Sequence, residues 1–167
     1  MEYIHKAALR LVKRCGTRNP FIIADEIGIK IFYRNDFVKL KGMYKVIERN
    51  RFIFINANLD EYEQRIICAH ELGHDALHRT LATYGILQEI MLCDMSAKPE
   101  YEANVFAADI LLDDKEVFAL AREGYTEEQI ASELCTNADL LRIKMNEMNK
   151  RGYGFRLSVV PRGSFLA

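Results

Sequence analysis

The sequence predicts an α+β fold: a small three-stranded sheet set among helices, with a helical C-terminal appendage. Three observations carry that prediction. Strand-like runs cluster early, at 29–34, 41–48 and 52–56, and helical periodicity dominates after them. Half of the 167 residues are hydrophobic, enough to bury a sizeable core and too apolar for global disorder. His70-Glu71-Leu72-Gly73-His74 writes an H-E-x-x-H signature into an apolar helical stretch, which puts two imidazoles on one helix face.

Each element follows from local signals. From Glu2 to Arg14, Ile4, Ala7, Ala8, Leu11 and Val12 recur at helical spacing, and Cys15-Gly16 marks the end. Asn19 is a candidate N-cap for a short helix, Phe21 to Glu26, with Pro20 at its first position and Gly28 closing it. The three strand-like runs come next. Glu48-Arg49-Asn50-Arg51 is the expected hairpin turn between the last two, although it holds no Gly. Asn58-Leu59-Asp60-Glu61 supplies caps for the signature helix, which should reach about Arg79. The stretch from Thr80 to Pro99 is the least regular; its Gly85, Met91 and Met95 suit either a cover over a metal cleft or a loop with a short helix. Further helices are expected over Glu100 to Leu112, from Asp113-Asp114 to about Arg122, from Thr126 to Leu134 behind a near capping box, and over Asn137 to Asn149. Tyr153 to Val160 alternates like a strand.

Composition narrows the function. A net charge of −1 and a pI near 6.4 give no basic field of the kind nucleic acid selects. No long apolar run and no signal peptide are present, so the cytoplasm is the expected location and no membrane partner is expected. Cys15, Cys68, Cys93 and Cys135 are dispersed, which favours free thiols over a disulfide frame. Cys68 lies on a different helix face from His70 and reads as packing rather than as a metal ligand. Nothing in the sequence specifies an oligomeric state.

The signature itself dictates a chemistry. Two neutral imidazoles, a third protein ligand and an open position make a catalytic zinc site, whereas four closed ligands make a structural one. Glu71, one position round from His70, is the expected general base of peptide hydrolysis. The third ligand is contested. His78 extends the ladder of histidines, but it would stand about 12 Å along the axis from His70, too far to share one ion. It suits a supporting hydrogen bond instead. On the helix after Pro99, Glu102, Val105, Phe106 and Asp109 share one face, while Ala103, Ala107 and Ala108 permit close approach to the signature helix. Glu100 falls in the first turn, where a solvated carboxylate beside the helix dipole is ordinary. Asp109 could orient a ligating histidine. Pattern alone favours Glu102 narrowly.

Together these residues resemble the ImmA/IrrE family of metallopeptidases, a gluzincin-like group. The resemblance rests on the signature and on Asn19-Pro20-Phe21-Ile22-Ile23-Ala24, Gly28-Ile29, Leu40-Lys41-Gly42-Met43-Tyr44, Phe52-Ile53-Phe54-Ile55-Asn56 and Glu102-Ala103-Asn104-Val105-Phe106-Ala107-Ala108. It covers roughly residues 1 to 150. It implies a three-stranded sheet beside the zinc helices, a zincin-like metallopeptidase domain over 1–122 and a helical extension over 123–167 packed on it. It also implies zinc held by His70, His74 and Glu102, with Glu71 as base, and cleavage of a helix-turn-helix repressor that relieves repression. An extended substrate would pair with a sheet edge, for which Phe52 to Asn56 is the candidate. The chain departs from many relatives after Leu111-Leu112, where Asp113-Asp114 replaces a Met-Pro step. Tyr44, Tyr84 and Tyr101 are candidate donors to a tetrahedral oxyanion.

Two other functions compete. Thr126 to Asn149 resembles a helix-turn-helix, and its second helix with the residues after it carries Arg142, Lys144, Lys150 and Arg151. Glu127, Glu128, Glu133, Asp139 and Glu147 offset that charge, so direct DNA binding is the weaker reading. A metal-dependent module that binds a repressor without turnover is the other alternative; an intact Glu71 argues against it.

Overall fold

The computed structural model describes residues 1–83 and 97–158. Helix α1 (Glu2–Cys15) ends at Gly16, whose φ of 66° is the left-handed cap that glycine tolerates best. Helix α2 (Pro20–Glu26) starts as expected, with the Asn19 side chain accepting from the Phe21 N–H and Pro20 at the first position. Then come β1 (Ile29–Arg34), β2 (Gly42–Ile47) and β3 (Asn50–Asn56). The β2–β3 hairpin turns on Glu48 and Arg49, with φ of 47° and 68°. Two positive-φ residues make the strands' own twist continue through a two-residue loop, and here non-glycine side chains accept that conformation.

The sheet order is β1-β3-β2, with β1 parallel and β2 antiparallel to β3. The central strand is therefore β3. This corrects the expectation that Phe52 to Asn56 forms a sheet edge: its backbone pairs on both sides. Alternation along β3 separates two faces. Ile53 and Ile55 are fully buried and Ile29 and Tyr44 nearly so, while Phe32, Phe52 and Phe54 cluster on the opposite face, with Phe54 stacked on the other two.

Helix α3 (Glu61–Thr83) carries the signature, and α4 (Ala97–Leu111) packs along it. They meet at Gly73, where a β-carbon would stand 2.9 Å from the Ala103 α-carbon. Both helices begin or run on beyond their expected bounds, because packing decides where a helix frays. The irregular stretch holding Tyr84, Gly85, Met91 and Met95 lies outside the described residues.

Helix α5 (Asp114–Arg122) is capped by Asp113, α6 (Glu127–Glu133) by a complete Thr126–Gln129 capping box, and α7 (Ala138–Lys150) by Asn137. The departure at Asp113-Asp114 thus starts a helix. Leu140, Leu141, Ile143 and Met148 of α7 are fully buried, and α7 packs against α1's neighbour α4. Among the described residues no helix is long and apolar enough to cross a membrane. Residues 153–158 form no strand, contrary to the alternation there. Tyr153 and Phe155 instead stack on each other and against Phe118, and Asn149 holds the Phe155 backbone through both its N–H and its carbonyl. Alternation without a neighbouring strand gives no ladder.

Candidate metal centre

The signature helix places His70, Glu71 and His74 where the spacing requires, all buried. The Nε2 atoms of His70 and His74 face each other at 3.0 Å. The carboxylate that joins them is Glu100, from the first turn of α4: Oε2 lies 3.2 Å from His70 Nε2 and Oε1 lies 3.4 Å from His74 Nε2. Among the described residues these three form a cluster with metal-ligand geometry. Glu102 does not join it. Its side chain leaves α4 in another direction, where Oε2 meets His78 Nε2 at 3.0 Å and Oε1 accepts from the Tyr3 hydroxyl at 2.7 Å. The structure thus brings Glu100 to the histidines where the sequence favoured Glu102, and the reason is rotational. Glu100, Ala103 and Asn104 share the stripe that faces α3; Glu102 and Asp109 share the stripe that faces α1.

The trio fits a divalent ion. Ligand atoms about 2.0–2.1 Å from a tetrahedral zinc lie about 3.3 Å from one another, close to the 3.0, 3.2 and 3.4 Å found here. Glu100 Oε1 is also buried without a hydrogen-bond partner, an arrangement that costs free energy unless a cation satisfies the oxygen. His70 Nδ1 lies 2.7 Å from the Asn104 side-chain oxygen, which fixes that ring with Nε2 turned inward. Asn104 went unrecognised in the sequence, although it sits four residues after Glu100 and so shares its face.

Burial sets the protonation states. It draws His74 down to about 4, against the opposing pull of Glu100, and leaves that ring neutral as a metal ligand must be. Burial also lowers His70, but the Glu100 and Glu71 carboxylates outweigh it and raise the net value. Glu100 itself is pushed up by burial and more strongly down by the two imidazoles, ending well below the usual carboxylate range. Glu71 is raised to about 7, first by burial and further by Glu100, with His70 and the Tyr44 backbone N–H pulling the other way. A carboxyl poised near neutrality is suited to taking and returning a proton.

Strand β2 forms the wall beside Glu71. A β-carbon at Gly42 would stand 2.2 Å from Ile67 Cγ2 and 2.9 Å from Glu71 Oε1, so only glycine lets strand and helix approach this closely. The Lys41 carbonyl accepts from the Asn56 N–H. Antiparallel alternation from that pair turns the backbone groups of Gly42, Tyr44 and Val46 away from β3, on the side where the Tyr44 N–H meets Glu71.

Several candidate roles are excluded by engagement elsewhere. The Tyr44 hydroxyl donates to Asp75 at 2.6 Å, and Asp75 is further held by Arg51 and Arg79. The Tyr101 hydroxyl donates to Glu147 at 2.9 Å. Neither is aimed at the cluster, and Tyr84 lies outside the described residues. Asp109 touches no signature histidine; it pairs with Lys144 at 2.6 Å and with His5 at 3.1 Å. A second acidic group, His5, Asp109 and Asp114, surrounds the Lys144 ammonium, which already supplies the cation there. Cys68 is buried among apolar side chains and its thiol is raised well above its usual value by burial, as packing requires.

Residues 24–151 match the family described as IrrE N-terminal-like domain (Peptidase_M78). The chain is 36% identical over 141 residues to a protein of Bacillus phage phi105 named "Uncharacterized immunity region protein 2", spanning 84% of this chain and 88% of that one. It is 30% identical over 124 residues to "Metallopeptidase ImmA" of Bacillus subtilis (strain 168), spanning 73% of this chain and 72% of that one.

Proposed function

The chain belongs to the IrrE N-terminal-like (Peptidase_M78) family of metal-dependent peptidases, and on that premise we propose that it is a zinc endopeptidase acting in the cytoplasm on a helix-turn-helix transcriptional repressor. The observation that carries the proposal is the buried triangle of His70, His74 and Glu100 with Glu71 beside it. His70, His74 and Glu100 would hold the ion. When bound, zinc supplies a Lewis acid that acidifies water and polarises a scissile carbonyl. The remaining work falls to the chain's own groups. Glu71 takes a proton from the attacking water and returns it to the leaving amine. Asn104 keeps the His70 ring in one orientation. The outward backbone of Gly42 and Val46 on β2 suits pairing with an extended substrate, in place of the central β3.

The repressor is proposed on two grounds: the name of the phi105 relative ties that protein to phage immunity, and the B. subtilis relative is a metallopeptidase. The test is incubation of zinc-loaded protein with helix-turn-helix repressors encoded in its genomic neighbourhood, read by mass spectrometry of the products. Cleavage at one bond by wild type and none by Glu71→Gln is the expected result. Full relief of repression by a metal-loaded Glu71→Gln variant would instead establish binding without turnover.

A further inference from the structure

We infer that Glu102 and His78 form an orienting pair that fixes the ring and tautomer of His74, so that Glu102 acts on the metal through two imidazoles instead of binding it. The inference rests on the metal-site reading above.

Two independent features of α3 and α4 lead to it. First, α3 leaves helical geometry at His78, where φ is −125° and ψ is 17°. At this break His78 still faces the preceding turn, and its Nδ1 lies 3.1 Å from His74 Nδ1. Second, the far side of the same ring meets Glu102 Oε2 at 3.0 Å, and the other Glu102 oxygen is occupied by the Tyr3 hydroxyl. His74, His78 and Glu102 are all buried, which excludes water as a substitute partner along most of the chain of contacts.

Proton bookkeeping then admits one arrangement for neutral rings. An ionised carboxylate only accepts, so His78 carries its hydrogen on Nε2 and donates it to Glu102. The His78 Nδ1 lone pair must accept, so His74 donates from its own Nδ1. That leaves the His74 Nε2 lone pair turned toward His70 Nε2 and Glu100, where a metal would sit. His70 reaches the same state through the Asn104 amide oxygen. The two ligating rings are thus oriented by different devices, a neutral amide and a carboxylate acting through a second imidazole.

The experiment uses the full chain as wild type, His78→Phe, Glu102→Ala and Glu102→Gln, each stripped and titrated with zinc against a chromophoric chelator. The melting temperature of the metal-free forms is recorded alongside. Loss of the pair should weaken zinc binding about 10- to 100-fold in His78→Phe and Glu102→Ala. Glu102→Gln retains an oxygen that accepts from His78 and should recover most of that loss; because it also keeps the side chain's volume, the imidazole shifts below separate orientation of the ring from packing. Imidazole ¹⁵N shifts of zinc-loaded wild type should show His74 protonated at Nδ1 and His78 at Nε2, a readout independent of any variant's folding. Wild-type affinity in His78→Phe, or His78 protonated at Nδ1, overturns the orienting pair and leaves the metal site intact. Wild type that binds no zinc overturns the metal-site reading itself and this inference with it.

Discussion

Gly73 of the signature and Ala103 of α4 meet where the two helices that build the site pack backbone to backbone: a β-carbon on Gly73 would lie 2.9 Å from the Ala103 α-carbon and 3.1 Å from its carbonyl oxygen. Both obstacles are backbone, which cannot swing aside as a side chain would. Glu100 stands one turn before Ala103, and His70 stands one turn before Gly73. Any separation of the helices at this point therefore draws the carboxylate away from the imidazoles. Gly73→Ala should destabilise the protein by about 1–3 kcal/mol through overpacking and weaken zinc binding at the same time. Thermal denaturation with and without zinc measures both.

The division of labour between two neighbouring carboxylates gives a sharper test. Glu100 lies 3.2 and 3.4 Å from the two imidazoles, whereas Glu102 reaches neither. Glu100→Ala should lose stoichiometric zinc outright, with metal content falling from about one per chain to the level of His70→Ala. Elemental analysis of the purified proteins decides it. Retention of zinc in Glu100→Ala and its loss in Glu102→Ala would restore the assignment expected from the sequence.

That assignment shows what a sequence holds and what it does not. The helix, its two histidines and Glu71 are local: spacing within five residues puts them together whatever the rest of the chain does. So are the Asn19, Asp113, Thr126 and Asn137 caps, each a side chain answering a backbone donor a few residues away. Which carboxylate meets the histidines depends on which face of α4 turns toward α3, and Glu100 and Glu102 lie about 200° apart around a helix. Periodicity marks both of their stripes as buried, because one packs on α3 and the other on α1. The signal that separates them was present in Gly73 and Ala103: a glycine inside the signature needs a small partner, and Ala103 shares its stripe with Glu100 and Asn104. The sheet order is likewise non-local. Nothing within β3 states that β1 will pair on its other side, so its central position was not legible. The strand-like alternation of 153–158 failed for the same reason, since a ladder needs a partner.

The C-terminal helix is docked through a buried charge. Lys144, 1% exposed, bridges Asp109 and Asp114 at 2.6 Å each. Lys144→Ala removes the cation shared by two carboxylates, leaving Asp109 only His5 and Asp114 only Arg151, and should cost about 3–5 kcal/mol. Burial raises both aspartates, but His5 and Lys144 for Asp109, and Lys144 and Arg151 for Asp114, pull them below their ordinary values. A depressed folded-state pKa means that the stabilisation is complete above the unfolded value, about 3.9, and is lost as pH falls through the folded one. Melting temperature should therefore drop steeply below about pH 4 in wild type, and less steeply in Asp109→Asn, which starts from a lower plateau. Equal acid slopes for the two proteins would remove Asp109 from that account.

The same pairing disposes of the basic residues that made α6 and α7 look like a DNA reader. Arg142 is held by Glu127, Glu128 and Asp139, Lys150 by Glu147 and Arg151 by Asp114, while Lys144 is buried. Phosphate contacts would have to break these pairs first. Fluorescence anisotropy with labelled duplex DNA should show no binding at about 50 mM salt, where non-specific phosphate contacts are strongest. Binding that weakens steeply toward about 200 mM would reinstate the DNA-binding reading.

Glu71 connects metal binding to pH. In the metal-free protein burial raises it to about 7, and Glu100 adds to that. A divalent cation held by His70, His74 and Glu100 would favour the ionised form, so zinc binding at or below neutrality must expel the proton that Glu71 carries. By linkage, zinc affinity then rises with pH while Glu71 is still protonated in the free protein, and this contribution ends above about pH 7. His70, raised by the same carboxylates, gives up a proton as well and steepens the rise. Glu71→Gln has no proton to lose at that position. Between about pH 5.5 and 7 its log affinity should climb with a slope smaller by up to one proton than that of wild type. Chelator competition at several pH values supplies both slopes, and calorimetry in buffers of different ionisation enthalpy counts the protons directly. Parallel slopes would mean that Glu71 is already ionised before the metal arrives, and that burial does not set its state.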